Sequence, residues 1–389
     1  LMKVFNFRFA KLGIAMSWVA AVGGAQAGSY EGGYYDTGYT AASQNSTVVT
    51  EGKVLITASE AQIGMVSSQI SHRLDAHTPA AGNSFSLLPQ AGGNAGATDQ
   101  RGSIWARAGI DHMKEDSITR LGGWNANLWS LAIGYDYKFN DKVLAGLALT
   151  YSNLNGSTKF NNGSMRDNAY GLVPYVAFRV SPCFDVDVMA GYSRVNKKRD
   201  RGTPSSNTDN ALSGTKATSS PKSDRYFAAL FGNLKQRVNH WNLLARLGYM
   251  YATDRQKSYT ETNGDLLNLN TGRRSNRSVA GLTNSVNRVS LRLQAGYQAS
   301  NTVEPYAFLT YARDFGVTKM KVPDTVVTSI GTDSTYVSPN KRRSNNTFGG
   351  GLGLNANTGG GWTSGIEANY LKSKKFQNIG GMIRVSKKF

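Results

Sequence analysis

The chain has 389 residues, 44 of them Lys or Arg against 25 Asp or Glu, giving a formal net charge of +19, with 10% aromatic residues and 43 glycines. Its single cysteine, Cys183, excludes an intrachain disulfide and a cysteine-based metal cluster. A mean hydropathy of -0.37 reads as a soluble protein, and the basic surplus on a cytoplasmic chain would point to nucleic acid.

The N-terminus argues against both readings. Lys3, Arg8 and Lys11 make a positive flank, Leu12 to Gly24 is a short apolar run, and Ala25-Gln26-Ala27 is a small-residue cleavage box. Residues 1–27 are therefore read as an export signal, with the mature chain starting at Gly28. On an exported chain the basic surplus suits outer-membrane lipid, anionic lipopolysaccharide and polyanionic host glycans, and no nucleic acid. Beyond the signal no stretch of eighteen apolar residues occurs, so a membrane-spanning form must be a closed β-barrel.

Residues 28–53, rich in Gly, Tyr, Ser and Thr, read as a short flexible segment. Over 54–75, Ile63, Val66, Ile70 and Leu74 recur at helical spacing between Glu60, Gln62, Ser67, Gln69, Arg73 and Asp75. Such a helix is roughly 30 Å long, the depth of a membrane barrel. Residues 76–102 carry Pro, Gly, Asn and Ala and read as a linker.

From 103 to 389 the pattern changes to alternation. Trp129, Leu131, Ile133, Tyr135, Tyr137 and Phe139 share one face of a strand whose other face is Ser130, Ala132, Gly134, Asp136 and Lys138. Similar runs start at Val143, Tyr170, Phe184, Trp241, Val289 and Trp362, and weaker ones at Ile104, Tyr226, Tyr306 and Phe348. The expected fold is an all-β membrane protein, an antiparallel transmembrane β-barrel of about twelve strands with the helix in its lumen. The phase is ambiguous at Tyr226 and Tyr306, and Pro174 in mid-strand predicts a bulge. Connections alternate between tight ones, such as Asn140-Asp141 and Ser181-Pro182, and long ones at 153–168, 194–224, 253–286 and 315–345. The last strand places Ile379, Ile383, Val385, Lys387 and Phe389 on one face.

Three features carry a resemblance: the Ile379 to Phe389 strand ending in an aromatic residue, the Ile104-Trp105-Ala106-Arg107-Ala108-Gly109 and Gly134-Tyr135-Asp136-Tyr137 strands, and the helix with Gln69-Ile70-Ser71-His72-Arg73-Leu74. Together they resemble the autotransporter translocator barrel of type V secretion. The resemblance implies a monomeric barrel in the outer membrane of a Gram-negative bacterium, with its loops on the cell surface. It implies a helix threaded through the pore and an N-terminal passenger carried outward, with periplasmic chaperones and the barrel-assembly machinery as partners. It also makes Ile383, Val385 and Phe389 an assembly signal, from which Lys387 departs. Only residues 28–53 precede the helix, so the resemblance is to a passenger-poor member. No Asn-Asn pair in the helix offers a self-cleavage site. The alternative is an adhesin or structural surface protein acting through its outer loops.

Asp185 and Asp187 point the same way from one strand and could suggest a metal or acid/base pair. Alternation turns Arg179, Arg246, Arg288, Arg292 and Glu367 inward as well, which favours a lumenal charge-pairing network. Three basic clusters fall in predicted outer loops: Lys197-Lys198-Arg199, Arg273-Arg274 and Lys341-Arg342-Arg343. They read either as solvated charge beside lipopolysaccharide or as a glycan-binding surface. No HExxH, Gly-x-Ser-x-Gly or P-loop pattern is found, so no catalytic residue, cofactor or metal is assigned and the protein is read as a non-enzyme.

Overall fold

In the computed structural model, the described residues are 40–75 and 101–389, apart from 117–122, 160–161, 205–211, 264–266, 269–272, 275, 280, 316–321, 329–330 and 338–344. Helix side chains are described for 53–70 and Arg73. The cleavage residues Ala25, Ala27 and Gly28, the linker 76–100 and the Lys341, Arg342 and Arg343 cluster lie outside the described residues.

One helix, α1 (Thr40–Asp75), precedes the strands β1 (Gly102–Glu115), β2 (Trp124–Lys138), β3 (Val143–Thr158), β4 (Gly163–Ser181), β5 (Phe184–Pro204) and β6 (Lys222–Val238). There follow β7 (Trp241–Gln256), β8 (Leu282–Tyr297), β9 (Val303–Phe315), β10 (Asn346–Gly359), β11 (Trp362–Lys372) and β12 (Phe376–Lys388). Each pairs antiparallel with the next, and β12 returns to β1 over Ser103↔Lys388 to Glu115↔Phe376, closing a twelve-stranded barrel. Closure leaves the barrel wall without an edge strand.

The period-two pattern sorts the two faces. Trp129, Ile133, Leu149, Tyr170, Leu247, Leu293, Leu309, Leu352, Ile366 and Ile383 are exposed on the outside, while their chain neighbours turn inward. Tilted pairs of outer aromatics mark two levels: Tyr151 with Tyr170 at 5.1 Å, Tyr192 with Tyr226 at 5.2 Å and Tyr311 with Phe348 at 4.9 Å at one, Trp241 with Tyr297 at 5.2 Å at the other. The ambiguous phases are settled by aromatics on the lumen side. Phe227 and Phe231 of β6 and Tyr306 and Phe308 of β9 are buried, so these strands carry rings on both faces. Glycine makes room for two such rings, because a Cβ at Gly191 would meet Phe227 and one at Gly134 would meet Trp105.

Two expectations change. Pro174 makes no bulge: Leu172↔Tyr192 and Tyr175↔Met189 keep one register, and the first irregularity lies between Arg179 and Ser181 beside the tight turn. A missing N–H removes a rung, whereas a bulge needs an extra residue. Segments 153–168 and 194–224 are largely strand, since β3 and β4 stay paired out to Thr158↔Gly163 and β5 runs to Pro204, where Leu212–Ser219 adds to it. Within 253–286 and 315–345, short hairpins Tyr259–Glu261 with Arg277–Val279 and Val322–Thr328 with Gly331–Val337 form. Beyond the lipid both strand faces are polar, so alternation fades although hydrogen bonding continues. The turn at Ser373 to Lys375 is short yet lies at the long-loop end, an exception to the parity of loop lengths.

Candidate functional site in the helix-filled lumen

The site is the lumen and the helix inside it. α1 begins at Thr40, not near Val54, so it takes in part of the segment 28–53 expected to be flexible. From Lys53 to Arg73 it spans roughly 30 Å, from the long-loop end of β9 to the tight-turn end of β2. At the first end Lys53 Nζ pairs with Asp314 Oδ2 at 3.2 Å. Arg288 there bridges Asp314, at 2.6 Å, and Glu60 of the helix. At the other end Arg73 Nε donates to Asp136 Oδ1 at 2.6 Å and its Nη2 to the Arg101 carbonyl at 2.6 Å, while Gln69 Nε2 donates to Asp136 Oδ2 at 3.1 Å. Between them Gln62 Nε2 reaches Thr150 Oγ1 and Ser193 Oγ, each at 3.3 Å, and Ser67 Oγ accepts from Arg246 Nη1 at 2.5 Å.

The helix is buried nearly all round. Leu55, Ile56, Ile63, Met65, Val66 and Ile70 pack on Trp105, Leu144, Val173, Tyr175, Met189 and Phe227, and Val54 and Ala58 on Met113, Trp124 and Leu128. Most members of the two clusters come from β1 to β6, and Met250, Ala252 and Val286 of β7 and β8 and Phe376 and Met382 of β12 complete them. The polar residues Ser59, Gln62, Ser67, Gln69 and Arg73 are buried too, against a polar wall. The seating is off-centre. A cavity of about 280 Å³ remains between Glu60, Gly64 and Ser67 of α1 and Arg292, Phe308, Glu367 and Met382 of the far wall. Gly64 is exposed there, with nothing within 4 Å of where a Cβ would sit.

The inward charges form pairs. Asp185 lies 3.6 Å from Arg179 and 2.5 Å from Lys235. Asp187 accepts from Asn233 at 3.0 Å and lies 3.5 Å from Arg246. Glu367 takes both Arg292 Nη1 at 3.2 Å and Nη2 at 2.9 Å, plus the Tyr306 hydroxyl at 2.8 Å. The two aspartates thus face cations and an amide, an arrangement that stabilises charge in the lumen wall, and Arg246 links Asp187 to Ser67 of the helix.

The family model of the autotransporter β-domain matches residues 104–369. The chain belongs to the autotransporter β-domain family. Among solved structures it resembles the translocator domain of autotransporter NalP from Neisseria meningitidis, with a TM-score of 0.58 at 16% identity, covering 75% of this chain and 89% of that one. It also resembles the β-domain of the Bordetella autotransporter BrkA, with a TM-score of 0.54 at 16% identity, covering 74% of this chain and all of the other. None of the curated proteins matches the sequence.

This autotransporter barrel is an outer-membrane protein crossing the bilayer with its strands. Short turns mark the periplasmic end of such barrels and long connections the cell surface, so α1 enters the lumen from the surface side at Lys53 and ends on the periplasmic side. Of the residues expected from the sequence to form an assembly signal, Ile383 and Val385 are exposed on the outer face and register against Ala108 and Ala106 of β1. Phe389 locks the seam: Gly102 N donates to its carbonyl at 3.0 Å and its N–H to the Gly102 carbonyl at 3.1 Å. Lys387, the departure from the expected signal, stands opposite Trp362 with its Nζ 4.8 Å from the ring centroid, where a cation can snorkel at the interface.

The basic cluster at 197–199 is not an exposed loop. It lies in β5, and alternation turns Lys197 and Arg199 inward, 3% and 9% exposed, onto Asp254 at 3.2 Å and onto Asp167. Arg201 follows onto Glu261 at 2.7 Å. Only Lys198 faces out. Arg273 and Arg274 pair with Asn268 and Leu267 in a short hairpin. Sequence reasoning missed Lys53 and Asp314 and assigned no partner to Glu60 or Gln62, because these roles depend on which strand faces the helix.

Proposed function

We propose that this autotransporter barrel carries the segment N-terminal to α1 to the cell surface and keeps α1 in the lumen as its tether. The observation that supports this reading is the threading of α1, with its N-terminal side at the long-loop end and buried polar contacts at both mouths. A helix held by Lys53 and Arg288 at one end and Arg73 at the other stays in place while the chain before it lies outside. In this reading β12 guides insertion through the barrel-assembly machinery, its Phe389 end being the recognised part. The adhesin reading loses its best-defined loop, since Lys197 and Arg199 are spent on buried pairs.

The test is a Tyr35→Cys substitution in a Cys183→Ser background, probed with a membrane-impermeant maleimide. Intact and lysed cells should label to the same extent. Labelling that appears only after lysis would place the segment in the periplasm and end the proposal.

A further inference from the structure

Beyond the outer ring of aromatics, the outward faces of β4 to β7 turn from apolar to cationic. Arg166 is exposed on β4 and registers directly opposite Lys198 of β5, also exposed. Asn196 of β5 registers opposite Lys222 of β6, and the Lys257 N–H donates to the Lys222 carbonyl at 2.9 Å, so Arg255 and Lys257 continue the patch. All five cationic side chains are exposed. Two carboxylates share this surface: Asp224, which registers opposite Arg255 and takes Arg194 at 2.6 Å and the Tyr192 hydroxyl at 2.9 Å, and Asp200, which takes Lys216 at 3.7 Å. Arg166 Nε donates to Asn155 Oδ1 at 2.8 Å, a neutral partner.

Like charges directly opposite across two strands repel, so the patch favours an anion between them. Its location says which. Arg166 and Lys222 each lie about four residues, roughly 13 Å of strand, beyond Tyr170 and Tyr226, above the hydrocarbon and level with lipid headgroups. The side chains project sideways from the barrel wall, so the neighbour they meet is membrane lipid. We infer that the Arg166, Lys198 and Lys222 patch binds the phosphate groups of a phosphorylated glycolipid of the outer leaflet, as lipopolysaccharide is. Guanidinium and ammonium groups suit phosphate, and cations near an anionic membrane surface add up in affinity. The inference rests on outer-membrane placement and stands apart from the labelling experiment on translocation.

The experiment uses the detergent-solubilised full chain titrated with rough-type lipopolysaccharide, binding being read from the rise in unfolding temperature. The wild type should bind the phosphorylated glycolipid and ignore both its dephosphorylated form and inorganic phosphate at equal phosphate concentration. The Arg166→Gln, Lys198→Gln, Lys222→Gln variant should need roughly tenfold or more glycolipid for the same rise. Should that variant not fold, Arg255→Gln with Lys257→Gln must show a weaker shift in the same direction. Unchanged affinity in the folded variant overturns the inference. So does equal binding of the dephosphorylated glycolipid, which would leave acyl contacts alone, or an equal response to inorganic phosphate, which would make this a free-anion site.

Discussion

At the scale of residues, the contact that defines the site is Arg73 with Asp136, both fully buried. Removing one charge from such a pair strands the other, at a cost of about 3–5 kcal/mol. Asp136→Asn should therefore lower the temperature at which the compact, heat-modifiable form is lost on electrophoresis. Arg73→Gln added to it should recover much of the difference, and a single variant as stable as wild type would contradict this account. Asp136 and Arg73 were legible as polar positions on a strand and a helix. Their pairing was not, because no local pattern tells a strand which helix residue will lie across the lumen from it. Lys197 shows the same limit. A run of three basic residues looks like a solvated loop until the strand is known to continue, after which alternation alone buries the first and third.

Among elements, α1 was legible in its middle and less so at its start. Ile63, Val66 and Ile70 gave the period, but the pattern did not say what the residues between them would meet, and Gln62, Ser67 and Gln69 are buried against a polar wall. Hydropathy separates apolar from polar and cannot separate water from a hydrogen-bonding barrel interior. The off-centre seating leads to a conductance prediction. Gly64 opens onto the cavity of about 280 Å³, so Gly64→Trp should lower the small conductance of the intact protein in planar bilayers. Deleting 54–75 should raise conductance well above wild type. If neither change moves it, ions do not travel beside this helix. The strands were legible wherever lipid imposed apolar alternation and became illegible above it, as at Asn155↔Arg166, where pairing persists between two polar faces.

Taken as a whole molecule, the barrel depends on one seam. Strand β12 meets β1 along its full length, and the last two rungs are the reciprocal bonds of Phe389 with Gly102, backed by Tyr135 with its ring 6.4 Å away. Deleting Phe389 should reduce the amount of heat-modifiable barrel recovered from the outer membrane, most visibly at limiting assembly capacity, and wild-type yield would show that the terminal aromatic is dispensable.

The eccentric placement of α1 also bears on the order in which this molecule can be made. Most of the apolar contacts of the helix fall on the strands that come first after it in the chain, and the cavity beside it opens toward the later ones. Strands β1 to β6 therefore supply a half-shell around most of the apolar surface of the helix, and the cavity lies on the side that β7 to β12 complete. In chain order, the strands that shape themselves to the helix come before those that close the barrel, which meet it through the Arg288–Glu60 and Lys53–Asp314 ion pairs and a few apolar side chains and leave the cavity on their side.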